Sequence, residues 1–291
     1  MMIKLNEVSF SYGKKEILNS ISTEFKENHI YGIVGANGAG KSTLLKCLGN
    51  IFYSNKGTIT YNERNIIDNV EYIRELMFLD NDFFIGNENV YSLLKLLESS
   101  KGVKIDYNYL YKLIELFNFD YKKKIKQMSK GNQRLAYLIT ILSLRLKVII
   151  LDEYLDGIDL VNRRLIKNEL LEYAIENNAI IIIASHTTSD ISDICDHIIL
   201  LKDQTIQRDC SIDDLKKSYI TYQIVLKDDL TKDEIEDKGI EIYQYKSFEN
   251  IRWISIQNTE KQIALINDID NIDIKRTNST LEEVIFNEFS D

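Results

Sequence analysis

The residues best suited to chemistry stand in a few short runs. The first is Gly35-Ala36-Asn37-Gly38-Ala39-Gly40-Lys41-Ser42-Thr43, which has the pattern G-x-x-x-x-G-K-[ST] between a strand-like and a helix-like segment. Glycines let backbone N–H groups turn inward around phosphate oxygens, and a helix starting near Lys41 adds the positive end of its dipole. Lys41 is placed to reach the β- and γ-phosphates of a nucleotide, and Ser42 to ligate its Mg²⁺. Accidental glycines produce this pattern in about one chain per hundred of this size. The second run is Val148-Ile149-Ile150-Leu151-Asp152-Glu153. Four apolar residues make a buried strand that delivers two carboxylates at its C-terminal end, where open α/β sheets bind ligands. Asp152 suits Mg²⁺, directly or through water, and Glu153 suits the polarisation of water attacking a γ-phosphate. Alone, such a run could close a strand in any α/β protein; the phosphate-binding loop upstream gives it meaning.

With these two runs in this order the chain resembles the ATP-binding cassette (ABC) ATPases, and the resemblance continues from residue 1 to about residue 215. Met128-Ser129-Lys130-Gly131-Asn132 is similar to the family signature, usually Leu-Ser-Gly-Gly-Gln. The resemblance implies that Ser129 and Gly131 face the ATP held by a second subunit. A helix N-terminus with a Ser hydroxyl and a Gly N–H is an anion site, although the fragment by itself is also an ordinary Ser cap. Asp156-Gly157-Ile158-Asp159 resembles the D-loop, which implies that Asp159 crosses the dimer interface. Ala184-Ser185-His186 looks like the switch histidine that contacts the γ-phosphate, whereas His29 and His197 read as structural. Phe10-Ser11-Tyr12-Gly13 looks like the A-loop, which implies that Tyr12 stacks on adenine; with 17 tyrosines in the chain, Tyr12 alone would say little.

There are departures from the family pattern. Its Q-loop glutamine should follow Met77-Phe78-Leu79, where this chain has Asp80-Asn81-Asp82. Asn81 and Asp80 are both candidates for the oxygen near Mg²⁺. Lys130 and Asn132 replace Gly and Gln of the signature, and Tyr154 stands where the family favours Pro. The chain has no proline at all, against about fifteen at average usage. Most of that deficit reads as codon bias. The family pattern at 154 implies that Tyr154→Pro is tolerated and mildly stabilising.

The elements that position these residues follow from periodicity. Strands are expected at 1–10 (Ile3, Leu5, Val8, Phe10 inward), twice within 17–34, and at 56–61, 147–151, 179–184 and 197–202. Helices are expected at 41–48, 132–145 and 160–177. Leu93, Leu94, Leu97, Leu110, Leu113, Ile114 and Phe117 recur at helical spacing, so about 86–135 is a helical insert. Past 218 come strands at 222–226, 240–245 and 251–256 and helices at 231–237 and 259–266. A closing helix over 279–289 opens with a capping box, Ser279 to Glu282. The expected fold is α/β: a P-loop NTPase core of ABC ATPase type, with a mixed sheet, an antiparallel N-terminal part and the helical insert over 1–218, and a small α/β appendix over 219–291.

Composition bounds the rest. The 291 residues carry a net charge of −9, which opposes DNA phosphates and anionic lipid. The basic run 121–126 lacks interleaved aromatics and reads as a solvated loop, so no nucleic-acid partner is expected. Three cysteines, Cys47, Cys195 and Cys210, lack metal spacing and read as reduced thiols. No apolar run reaches membrane-helix length, and Met1–Phe10 lacks a signal-peptide core. The resemblance therefore implies a cytoplasmic subunit, peripheral on the inner face of the membrane, that binds and hydrolyses ATP with Mg²⁺. It would dimerise on ATP, as a homodimer since both half-sites look competent. It would drive a separate integral membrane subunit docked near 80–95 and the helical insert. The short appendix resembles the layout of bacterial exporters of drugs, bacteriocins and antimicrobial peptides. Two other readings stay open: a soluble ABC ATPase acting on ribosomes or DNA, and a regulatory cassette with little turnover.

Overall fold

The computed structural model describes residues 1–80, 88–155, 157–227 and 230–289. It divides into two compact units, Met1–Asp209 and Cys210–Asp291. The division falls earlier than the 218/219 boundary expected from composition. The reason is a short helix, α8 (Ile212–Lys217), which buries Ile212 and Leu215 against elements of the second unit.

The first unit runs β1 (Met2–Tyr12), β2 (Lys15–Lys26), β3 (His29–Gly35), α1 (Lys41–Leu48), β4 (Lys56–Tyr61), β5 (Arg64–Asn65), α2 (Val70–Glu75), β6 (Leu76–Leu79), α3 (Val90–Lys101), α4 (Tyr107–Leu116), a 3₁₀ turn (Ile125–Gln127), α5 (Lys130–Leu142), β7 (Val148–Asp152), α6 (Leu160–Glu176), β8 (Ile180–Ala184), α7 (Thr188–Ile194), β9 (His197–Lys202) and β10 (Thr205–Ser211). The order β2-β1-β4-β5 forms an antiparallel sheet. A second sheet has the order β10-β9-β3-β8-β7-β6, with β9, β3, β8, β7 and β6 all parallel. Its inner strands β7 and β8 are buried at every residue, as a sheet covered on both faces requires.

One apolar core joins Ile3, Leu5 and Val8 of the antiparallel sheet, Leu44, Leu45 and Leu48 of α1, and Ile33, Ile150 and Ile182 of the parallel sheet. The inward residues of β1 change parity between Leu5 and Val8. A bulge there, with Glu7 at φ +49°, turns both pairs to the same side. The helical insert holds α3 and α4; α5, expected at 132–145, starts at Lys130 and buries Leu135 through Leu142. Residues 86 and 87 of the expected insert lie outside the described residues. The strand β6 and the helices α2 and α7 carry too little periodicity to be read from sequence.

The second unit continues with α8, then β11 (Tyr219–Leu226), α9 (Lys232–Glu236), β12 (Gln244–Phe248), β13 (Ile251–Gln257), α10 (Glu260–Asn267), β14 (Asn271–Asn278) and α11 (Leu281–Phe289). From β11 onward this is a β-α-β-β-α-β plait with the antiparallel order β12-β13-β11-β14. Ile220, Ile224, Ile254, Ile256, Ile235 and Ile266 form its core. Two expectations are corrected here, and one strand was not expected at all. The strand expected at 240–245 begins at Gln244, because Ile240 and Ile242 pack on the core without joining the ladder. The strand β14 had no sequence signal. The capping box of α11 uses Thr280 and Glu283, whose amides and side chains bond reciprocally at 2.9 and 3.2 Å; Ser279 is buried and hydrogen-bonded to Thr221 instead.

Candidate functional site

The loop from Gly35 to Gly40 connects β3 to α1. Gly38 and Gly40 sit at φ +86° and +101°, a region closed to most side chains. A Cβ on Gly40 would also lie 2.9 Å from the Ile17 carbonyl. Ala36, Asn37 and Gly38 form the exposed tip, Ala39 bonds back to Ala36 at 3.1 Å, and Thr43 is buried under the helix. The α1 N-terminus carries no side-chain cap and no acidic residue in its first turn, so its amides remain open to an anion. Lys41 folds back over the loop, donating to the Gly35 and Ala36 carbonyls at 2.8 and 3.2 Å. Burial lowers the Lys41 ammonium pKa, while Glu153 and Asp152 act in the opposite sense.

Those two carboxylates stand at the C-terminal end of β7, as its apolar run demanded. Burial raises the Asp152 pKa; the Ser42 hydroxyl and Lys46 lower it, while Glu153 and Asp80 add to the rise. One carboxylate oxygen, Oδ1, is buried with no hydrogen-bond partner among the described residues. A buried unpartnered carboxylate oxygen beside a hydroxyl is the hard-oxygen donor set that Mg²⁺ selects, so the residues present fit that ion. Of the two Q-loop candidates, Asp80 is within electrostatic reach of Asp152; Asn81 lies outside the described residues.

Glu153 has φ +49°, and its amide donates to the Ala184 carbonyl at 2.9 Å. That bond places it beside the loop after β8, where His186 Nδ1 stands 3.9 Å from Glu153 Oε1. The next residue corrects the proline expectation. Tyr154 is only 1% exposed, so replacing it by Pro would empty a tyrosine-sized volume at a cost of about 3–5 kcal/mol.

A second group gathers at the start of α5. The Ser129 hydroxyl accepts from the Asn132 amide at 3.4 Å and caps the helix. A Cβ on Gly131 would stand 2.5 Å from the Gly157 carbonyl, so the signature segment and the D-loop segment meet backbone to backbone. Asp159 caps α6, accepting from the Val161 and Asn162 amides at 3.1 and 3.0 Å, and these bonds lower its pKa. Asp156 lies outside the described residues. Leu160 and Val161, directly after Asp159, are 83% and 71% exposed.

Three features escaped sequence reasoning. Tyr12 is half exposed and packs edge-on against Phe10 and Phe52, with centroids 5.0 and 5.8 Å away; Phe52 had no motif to mark it. Arg163 bonds both the Ile158 carbonyl (3.1 Å) and Asp190 (3.1 Å), and Asp190 accepts from Ser185 (3.3 Å), the neighbour of His186. This chain joins the D-loop segment to the switch loop, and only tertiary structure reveals it. The Tyr154 hydroxyl, third, reaches the Arg134 carbonyl. His29 and His197 pair with Asp196 (3.2 Å) and Asp209 (2.8 Å).

The family description "ABC transporter" matches residues 18–156. An uncharacterized ABC transporter ATP-binding protein of Methanocaldococcus jannaschii, MJ1023, is 33% identical over 229 residues, covering 76% of this chain and 82% of the relative. The lantibiotic transport ATP-binding protein SrtF of Streptococcus pyogenes is 29% identical over 204 residues, covering 68% and 85%. A solved ATP-binding subunit of an ABC transporter shares the fold at a TM-score of 0.69 and 20% identity, covering 75% of this chain and 92% of that one.

Proposed function

The chain belongs to the ATP-binding proteins of ABC transporters, and from that premise we propose that two copies close on ATP and drive export through a separate membrane subunit. It is an ATPase of that family. The observation that carries the assignment of its site is the buried, unpartnered Asp152 Oδ1, beside the Ser42 hydroxyl and one residue from Glu153.

In the proposed reaction, Lys41 leaves the Gly35 and Ala36 carbonyls for the β- and γ-phosphate oxygens, and the open amides of α1 hold the same phosphates. Ser42 and Asp152 would hold Mg²⁺, which when bound offsets charge on the phosphate oxygens. Glu153 accepts a hydrogen bond from water and aims its oxygen at the γ-phosphorus; a new P–O bond forms as the bond from the γ-phosphorus to the β–γ bridging oxygen breaks, and the water's proton passes by way of Glu153 to the released phosphate, giving ADP and phosphate. His186, beside Glu153, contacts the γ-phosphate and fixes the far side of the water site. Tyr12 stacks on adenine. Ser129 and Gly131 of the second copy complete the phosphate cradle, with Asp159 and the exposed Leu160 and Val161 at the junction.

Among the described residues no helix is long and apolar enough to cross a membrane. The reading puts the chain on the cytoplasmic face through its membrane subunit, by its membership among the ATP-binding proteins of ABC transporters. Export of a peptide or amphiphile is supported by the short second unit and by the likeness to a protein named for lantibiotic transport. The test of the site is turnover and gel filtration of the purified chain and of Glu153→Gln. Expected is slow wild-type hydrolysis that the variant loses, while the variant forms an ATP-stable dimer. Equal negligible turnover in both would instead mean a regulatory cassette. The test of direction is retention of a cationic peptide by cells lacking the chain: raised retention supports export, and lowered uptake overturns it.

A further inference from the structure

Tyr154 joins two parts of the site that act in different places. Its ring is buried, its backbone continues directly from Glu153, and its hydroxyl donates to the Arg134 main-chain oxygen at 2.8 Å. The Arg134 guanidinium stands 6.0 Å from the ring centroid. Arg134 lies early in α5, the helix that Ser129 caps. A helix carbonyl has two lone pairs, so it accepts the phenol and keeps its helical bond. On the other side, Glu153 is held at φ +49° with its amide on the Ala184 carbonyl. One stiff side chain with two torsions therefore spans from the backbone of Glu153 to the signature helix. Beside it, the close approach of Gly131 to the Gly157 carbonyl leaves α5 no slack to slide without moving the segment that follows Tyr154.

We propose that Tyr154 is a positioning residue that couples the two ATP sites of a closed pair. The inference rests on the two-copy reading above: α5 of one chain engages the ATP of its partner, while Glu153 of the same chain acts on its own ATP. When the partner's nucleotide draws α5 in, Tyr154 carries the displacement to Glu153 and aligns it. Hydrolysis at one site then depends on occupancy of the other. A proline at 154, lacking a hydroxyl, has no such connection to make.

Tyr154→Phe tests this, because it keeps the ring and its burial and removes a single bond. Tyr173→Phe is the control: Tyr173 is fully buried and makes a bond of the same kind, to the Leu146 carbonyl at 2.7 Å, on α6. The wild type is expected to show sigmoidal dependence of rate on ATP. Tyr154→Phe should bring the Hill coefficient towards one and lower kcat roughly 5-fold, with affinity of the single chain for an ATP analogue unchanged. Tyr173→Phe should lower Tm to a similar degree and leave both kinetic quantities alone. A wild-type Hill coefficient of one, an unaltered Tyr154→Phe, or the same kinetic change in Tyr173→Phe overturns the coupling. Glu153→Gln run in parallel separates the two levels. If it stays monomeric with ATP, the two-copy reading falls and the coupling with it. If it dimerises while Tyr154→Phe behaves as wild type, only the coupling falls.

Discussion

His186 Nδ1 stands 3.9 Å from Glu153 Oε1, each carried just past the end of one of two neighbouring parallel strands, β7 and β8. Strand pairing alone brings the two side chains together, because the Glu153 amide extends the ladder to the Ala184 carbonyl. The pair is open to solvent on one side, with the His186 side chain 56% exposed, so a phosphate can approach it. On the proposed reading, His186→Ala removes a group that acts on the γ-phosphate and not on the adenine or the β-phosphate. Expected is a fall in kcat of about 100-fold with KM for ATP nearly unchanged, measured by phosphate release. A rise in KM with kcat preserved would move His186 out of the reacting centre.

Burial opposes the charged forms of Asp152 and Lys41, and the two groups respond to pH in opposite senses. Burial raises the folded Asp152 pKa above its unfolded value, so the folded chain holds that proton more tightly. Stability then falls as pH rises from the unfolded towards the folded value, and the whole penalty is present above that window. For Lys41, lowered by burial, the penalty is present below its folded value and is relieved as pH rises from there to the unfolded one. The cost of the Asp152 charge therefore lies above its window and that of the Lys41 charge below its own. Asp152→Asn should raise Tm of the nucleotide-free chain by about 2–4 °C, for a gain of about 1 kcal/mol. The gain should vanish in acid, and hydrolysis should be lost at every pH. A lower Tm at pH 7 would mean that Ser42 and Lys46 outweigh burial.

What could be read in advance depended on whether the signal was local. The loop Gly35–Thr43 needs its glycines and lysine in consecutive positions, so its pattern survives in the sequence, and the all-apolar runs before Glu153 and His186 announce a covered sheet. Phe52 is different. It supports Tyr12 from beyond α1, and nothing in its neighbours marks an aromatic shelf. Arg163, Asp190 and Ser185 meet only because α6, α7 and the switch loop converge. In the second unit β14 offers Ile272 and Ile274 among charged and amide residues, and it is a strand because β11 supplies a partner. Ser279 and Thr280 each stand three residues before a glutamate; which frame caps α11 was decided by burial of Ser279.

Gly131 and Gly38 should respond differently to a methyl group. At Gly131 a Cβ would stand 2.5 Å from the Gly157 carbonyl, backbone against backbone, so Gly131→Ala must push α5 away from the D-loop segment. Turnover should fall more than about 10-fold, while binding of an ATP analogue to the single chain stays as it was. At Gly38 nothing lies within 4 Å of a Cβ, and only φ +86° resists it. Gly38→Ala should cost about 1–2 kcal/mol of local strain, read as weaker analogue binding. Equal effects of the two substitutions on binding would mean that the α5 start does not belong to the other half-site.

The aromatic shelf of Tyr12, Phe10 and Phe52, proposed to receive adenine, gives a prediction that separates stacking from support. Tyr12 presents half its surface to solvent at the end of β1, and Phe10 and Phe52 stack beneath it with centroids 5.2 Å apart and planes 12° from parallel. Base stacking on an aromatic ring is worth about 1–3 kcal/mol by alanine substitution. Tyr12→Ala should therefore raise KM for ATP about 10-fold and leave kcat alone, because the purine is remote from the reacting bond. Tyr12→Phe should match the wild type, since the face and not the hydroxyl is used. Phe52→Ala should fall between them, as Tyr12 keeps its ring but loses the wall that fixes its tilt. If Tyr12→Phe proves as weak as Tyr12→Ala, the hydroxyl carries the contact and stacking does not.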